Sequence, residues 1–278
     1  MKVSGKLGLG TVQFGLSYGI SNKKGKTSKE EVEKILSSAH KNGIELLDSA
    51  SAYGDAEEVL GGNNLSNFKV VSKFLPPSEG QKVINQLRKS LQNLGLNQIY
   101  GYLAHRPMEL LNHPEQWKEL KRFKAEGTVK KIGFSLNEPE ELEKLLEKGY
   151  EPDLIQVPYN FFDRRFESGI KNLKEQGCEI HTRSAFLQGL FFMDPNELNE
   201  YFDEVKPLLK QIQELEPLSG ALLKFVLEKP FIDKVISGVE DEAQLLQNIE
   251  SVEKAPSLPE LKGTISDNIL IPSRWQKS

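Results

Sequence analysis

The chain of 278 residues contains a single cysteine, Cys178. No intramolecular disulfide is open to it, which suits a reducing compartment and excludes a disulfide-stapled secreted scaffold. No apolar run reaches the length needed to span a bilayer. The opening residues, Met1-Lys2-Val3-Ser4-Gly5-Lys6-Leu7-Gly8, lack the apolar core of a secretory signal, so a cytoplasmic location is expected. Excess positive charge is missing as well. Thirty-six Lys and Arg against 40 Asp and Glu leave a formal net charge of -4, and nucleic-acid binding is not expected. His and Cys never fall at zinc-ligand spacing, no complete Walker-type phosphate loop occurs, and no metal is expected. Gly8-Leu9-Gly10 lacks the third glycine of a Rossmann fingerprint.

What the chain does have is a repeating alternation of short apolar runs and longer amphipathic stretches. With 38% hydrophobic and 27% charged residues it is able to build a sizeable core. The spacing predicts strands over 7–12, 44–47, 69–72, 99–104, 129–134, 154–157, 179–182 and 234–237. After the first strand and the polar loop 21–26, Ser28 caps a helix, with Glu31 completing a capping box and Gly43 ending it. Further helices are predicted over 55–60, 81–94, 114–126, 139–147, 164–176, 218–228 and 242–252. Eight strands, each followed by helical material, imply a parallel sheet closed into an α/β (β/α)8 TIM barrel, a single domain spanning 1–278. The stretch 191–215, with Pro195 and Pro207, reads as a lid-like insertion or an extra helix, and the tail from about 256 as a surface wrap.

Four side chains fall at or just past the ends of these strands: Asp48, Tyr53, Lys73 and His105. In a barrel they converge at one mouth, the face where such folds keep their chemistry. Singly, each has an ordinary structural role: a cap, a half-buried aromatic, a solvated lysine, a loop histidine. Together they supply a proton donor and its supports. An ammonium stabilises a phenolate, and Asp48 is the natural tether for the Lys73 ammonium. His105 is placed to hydrogen-bond a substrate oxygen and aim it at Tyr53. This set protonates a carbonyl oxygen while another group delivers hydride. His181 ends a strand but has no chemical partner in sequence.

At these residues the chain resembles the aldo-keto reductase superfamily over nearly its whole length. The resemblance is carried by Leu9-Gly10-Thr11-Val12-Gln13-Phe14-Gly15 and by Asp48-Ser49-Ala50-Ser51-Ala52-Tyr53-Gly54-Asp55-Ala56-Glu57. Val70-Val71-Ser72-Lys73, Tyr102-Leu103-Ala104-His105-Arg106-Pro107 and Gly127-Thr128-Val129-Lys130-Lys131-Ile132-Gly133-Phe134-Ser135 extend it. It implies NAD(P)H-dependent reduction of an aldehyde or ketone, with Tyr53 as general acid supported by Asp48, Lys73 and His105. It also implies cofactor contacts at Gly10, Thr11, Asp48, Ser135, Gln156, Arg183, Ser184, Phe186, Gln188, Gly189, Gly238, Glu240, Gln244 and Asn248. The nicotinamide carboxamide falls to Ser135 and Gln156, the pyrophosphate to 184–189, and the adenine to Asn248.

Three departures stand out. The family's Ser-Asn pair is Ser135-Leu136, the aromatic that stacks on the nicotinamide is Arg183, and the loop that grips the 2′-phosphate carries Glu240, Asp241 and Glu242. Acids there repel a phosphate and accept from a free ribose hydroxyl, so either NADP(H) or NAD(H) is expected to serve. Tyr18, Phe74, Arg106 and Phe161 are expected to wall the substrate pocket, with Arg106 favouring a polar, sugar-like or anionic carbonyl compound. A Schiff-base aldolase built on Lys73 and a non-catalytic cofactor-binding regulatory subunit are the competing readings, and a monomer is the default.

Overall fold

The computed structural model describes residues 3–20, 22, 24–77 and 82–275. Met1, Lys2, the loop residues Ser21 and Lys23, and the expected helix start at Gln81 lie outside the described residues. Eight strands form a closed, all-parallel barrel in chain order. They are β1 (Leu7–Gly10), β2 (Leu46–Asp48), β3 (Lys69–Phe74), β4 (Ile99–Ala104), β5 (Val129–Ser135), β6 (Leu154–Pro158), β7 (Glu179–Arg183) and β8 (Lys234–Gly238). β1 pairs with both β2 and β8, so no strand edge is left open.

Eleven α-helical segments are found among the described residues, α1 (Val12–Gly15), α2 (Lys29–Lys41), α3 (Ala56–Gly61), α4 (Val83–Leu94), α5 (Pro114–Ala125), α6 (Pro139–Glu147), α7 (Glu167–Glu175), α8 (Lys206–Gln213), α9 (Leu218–Leu227), α10 (Glu242–Lys254) and α11 (Asp267–Leu270). The expected first strand is shorter than 7–12, because the chain turns at Thr11 into α1. Ser28 caps α2 as expected, accepting from the Glu31 backbone N–H at 3.3 Å. The reciprocal half of the capping box is not made. The Glu31 carboxylate instead accepts the Glu242 backbone N–H at 2.8 Å, so packing of α2 on α10 wins over the local motif. The stretch 191–215 contains α8, whose Leu209 and Ile212 are fully buried.

The core has two main layers. One lies between the strands and the surrounding helices. The other, built on Phe161, Phe162, Leu190, Phe191, Phe202, Leu209 and Ile212, sits under the loop after β7 and is sealed by Ile265, Ile269 and Leu270 of the tail. Inside the barrel, Leu46, Val71, Leu103, Leu154 and Ile236 form an apolar plug. Each buried leucine of this kind contributes about 1.5–3 kcal/mol. The plug closes the barrel beneath its C-terminal mouth and gives the polar residues above it a rigid floor.

Candidate active site

Strand alternation decides which residues face the mouth. On β3, Val71 belongs to the interior plug, so Lys73 points inward two residues later and Phe74 points out. On β2, Leu46 lies in the plug and Asp48 stands above it. Lys73 is fully buried, and Asp48 is nearly so. The Lys73 ammonium donates to Asp48 Oδ2 at 2.7 Å and to the Ser49 carbonyl at 2.8 Å. Its third contact is the Tyr53 hydroxyl at 3.4 Å, the long edge of hydrogen-bond range. Three N–H groups thus have three oxygens, one of them the phenol. Burial alone would lower the Lys73 pKa, but the Asp48 carboxylate and Tyr53 outweigh it, and the net direction is upward. The ammonium stays charged.

Tyr53 is held by the turn that follows β2. Ser51 N–H and Ser51 Oγ both donate to the Lys73 carbonyl at 3.0 Å, and Tyr53 N–H donates to the Ala50 carbonyl. Gly15 makes the close approach on the other side possible. A Cβ there would stand 1.8 Å from the Tyr53 carbonyl oxygen, so any side chain would push the turn away. Gly54 completes the turn at φ +60, a conformation that favours glycine. Glu57 then ties α3 to β3 by accepting from Ser72 Oγ at 2.5 Å.

The remaining Asp48 oxygen accepts from Gln156 Nε2 at 2.7 Å. His105 follows β4 with its ring edge-on to Tyr53, centroids 5.9 Å apart. Desolvation, then Lys73, Arg183 and Arg106, push the His105 pKa down to about 3. The ring is therefore neutral at physiological pH and offers one N–H and one acceptor.

These groups border a cavity of about 860 Å³ at the C-terminal mouth. Gly10, Thr11, Asp48, Tyr53, His105 and Ser135 line it, as do Arg183, Ser184, Phe186, Gln188 and Gly189, followed by Gly238, Glu240, Gln244 and Asn248. Gln156 reaches the site through Asp48 rather than as part of the cavity wall. Four buried polar atoms in or beside this cavity lack a protein partner: Gln13 Oε1, His105 Nδ1, Gln156 Oε1 and Asn248 Nδ2. Buried polar groups are seldom left unmatched, so these atoms fit a polar ligand with donors and acceptors along its length, as a dinucleotide has.

Of the expected pocket walls, Tyr18 and Arg106 line the cavity, and Tyr18 Oη accepts from Gln188 Nε2 at 3.0 Å across it. Phe74 and Phe161 do not. Phe74 packs against Tyr102 outside the barrel, and Phe161 is buried in the second core against Phe162 and Phe225. For Phe74 the reason is the two-residue period of the strand, which Lys73 already fixed.

Several lining residues escaped the sequence reading: Gln13, Arg165, Gln247, and Leu270 to Ser273 from the tail. Arg183, which stands where the family's nicotinamide-stacking aromatic falls, is anchored to the Leu136 carbonyl at 2.9 Å and Asn137 Oδ1 at 2.6 Å. The acidic loop also looks different in three dimensions. Asp241 caps α10 by accepting the Gln244 N–H and pairs with Lys24, while Glu242 accepts from Ser38 Oγ. Among these three acids Glu240 alone lines the cavity.

The sequence profile of the Aldo/keto reductase family matches residues 6–261. An uncharacterized oxidoreductase of Bacillus subtilis, YqkF, is 25% identical over 256 residues, covering 81% of this chain and 83% of that protein. The holo form of the aldo-keto reductase AKR11C1 from Bacillus halodurans superposes with a TM-score of 0.70 at 20% identity, covering 98% of this chain and 92% of that one. An aldo-keto reductase from Klebsiella pneumoniae solved with NADPH superposes with a TM-score of 0.66 at 19% identity, covering 96% and 91%.

Proposed function

The chain belongs to the Aldo/keto reductase family, and on that premise we propose that it reduces a small aldehyde or ketone to the alcohol using NADPH or NADH. One observation carries the reading: a buried, charged Lys73 whose three contacts are Asp48, the Ser49 carbonyl and the Tyr53 hydroxyl, at the edge of the cavity. When bound, the nicotinamide supplies hydride to the carbonyl carbon. Tyr53 gives its hydroxyl proton to the carbonyl oxygen, and the Lys73 ammonium stabilises the phenolate left behind. Asp48 keeps Lys73 charged and aimed. His105, neutral, hydrogen-bonds the same oxygen without competing as a proton source.

The residues that would hold the dinucleotide line the cavity: Ser135 for the carboxamide, with Gln156 behind it on Asp48, Ser184 to Phe186, Gln188 and Gly189 for the pyrophosphate, and Gln244 and Asn248 for the adenine. Glu240 would accept from the ribose hydroxyls, which favours NADH. The Lys24 ammonium paired with Asp241 offsets part of the loop's negative charge, which keeps NADPH acceptable. Lys73 argues against the aldolase reading, since an ammonium tied to a carboxylate is a poor nucleophile.

Multiple-turnover oxidation of NADPH and NADH with a simple aldehyde tests the proposal, with Tyr53→Phe as the control. No turnover with either cofactor over a panel of aldehydes and ketones would reject the reductase. Tight NADPH binding with negligible NADH binding would reject the dual preference alone.

A further inference from the structure

Charge is unevenly distributed around the cavity. On the β8 side stands Glu240, while Arg106 follows β4 and Arg165 and Arg183 line the same space. Arg165 is matched. Asp163, itself fully buried, meets its Nη2 at 2.8 Å, and Asp267 meets its Nη1 at 3.1 Å. Lys73 is matched by Asp48. Arg183 is held differently. It donates to the Leu136 carbonyl, Asn137 Oδ1 and Ser184 Oγ, all neutral oxygens, which aim the guanidinium without cancelling its charge. These contacts draw it from the end of β7 across β6 to the loop after β5. There it stands on the same side of the mouth as Arg106 and His105.

Resting on the reductase reading above, we propose that the substrate is a carbonyl compound bearing a second, anionic oxygen group, held between Arg183 and Arg106 while its carbonyl oxygen meets Tyr53 and His105. A guanidinium N–H of Arg183 not used in these contacts can meet a carboxylate or phosphate oxygen. Both arginines also act on His105, which they help to keep neutral.

The test compares 4-oxobutanoate with its methyl ester, a pair differing in charge at nearly constant shape, and adds a phosphorylated aldehyde of similar length to separate carboxylate from phosphate. A charged hydrogen bond is worth about 10–100-fold in binding. The wild type is expected to favour at least one of the two anionic aldehydes over the ester by about that factor in kcat/KM, with the advantage shrinking as salt rises. Arg183→Gln and Arg106→Gln should each move that ratio towards one, whatever the absolute rates. An ester reduced as well as both anionic aldehydes, or a ratio that neither variant moves, would overturn the proposal and leave the reductase standing. If no aldehyde is turned over, the reductase reading is what fails, and calorimetric titration with succinate and with inorganic phosphate decides the site. Binding of either that is lost in the variants supports it, and no wild-type binding of either overturns it.

Discussion

The two ends of this barrel both bury charge, and they do so in opposite ways. At the C-terminal mouth Lys73, Asp48 and Gln156 interlock beside a cavity, leaving His105 Nδ1, Ser49 Oγ and Gln156 Oε1 unmatched. Towards the N-terminal end, the Glu179 carboxylate takes Lys131 Nζ at 2.6 Å, Tyr100 Oη at 2.7 Å and His181 Nε2 at 2.7 Å. His181 Nδ1 is the one unmatched side-chain atom of that lower cluster, and none of its residues lines the mouth cavity. Burial of charge is therefore no mark of chemistry by itself. The mark is a charged network with unfilled hydrogen-bonding capacity facing space.

The contrast breaks most sharply at Lys73. Lys73→Met strands a buried carboxylate, which costs about 3–5 kcal/mol of stability. Turnover should disappear with it, as urea denaturation and steady-state assays would show together. A variant that keeps both its stability and its turnover would remove the basis for the site. Tyr53→Phe separates the two effects. Carbonyl reduction should fall by about 10²–10⁴ while the unfolding midpoint stays in place, because the hydroxyl's lysine contact is long.

Glu179→Gln is the mirror experiment at the lower end. It leaves Lys131 and His181 without their acid and should cost about 1–3 kcal/mol in unfolding free energy with kcat/KM unaltered. A loss of kcat/KM at constant stability would mean that the lower cluster acts on the reaction and that the two ends are not distinct.

The difference between the ends was only partly legible in the chain. The four chemical residues were readable from their places at or just past strand ends, and the closed eight-stranded barrel bears out the alternation of strands and helices. The two-residue period of β3, which turns Lys73 inward, turns Phe74 outward, and carried two residues back from His181 the same period reaches Glu179, a partner available on the same strand face. Phe161 was unreadable because its core is assembled from α8 and the tail, distant in sequence. The pairing of Lys24 with Asp241 has the same origin, so the acidic loop looked less neutralised in one dimension than it is in three. Arg165 and Leu270 to Ser273 reach the cavity through the Asp267 contact and the tail packing, for which no local motif exists.

The smallest effect gives the finest test, because the two ends titrate in different windows. His105 is pushed down to about 3 by burial and by Lys73, Arg183 and Arg106. The unfolded chain binds its proton near pH 6.5, so between about 6.5 and 3 the unfolded state holds more protons at this residue. Stability then rises with pH across that window, by at most about 1.4 kcal/mol per pH unit, and falls in acid. Glu179 has a carboxyl held below its ordinary range: burial opposes this, but His181, Lys131 and Tyr100 outweigh it. Its contribution is complete above the ordinary carboxylate pKa of about 4.3 and is lost only as pH drops further. Unfolding free energies of wild type and His105→Gln should therefore diverge with pH from 6.5 down to 4.5, where Glu179→Gln runs parallel to wild type. A flat difference for His105→Gln over that interval would show that burial and the cations at the mouth do not hold the imidazole neutral, and the electrostatic contrast between the two ends would be gone.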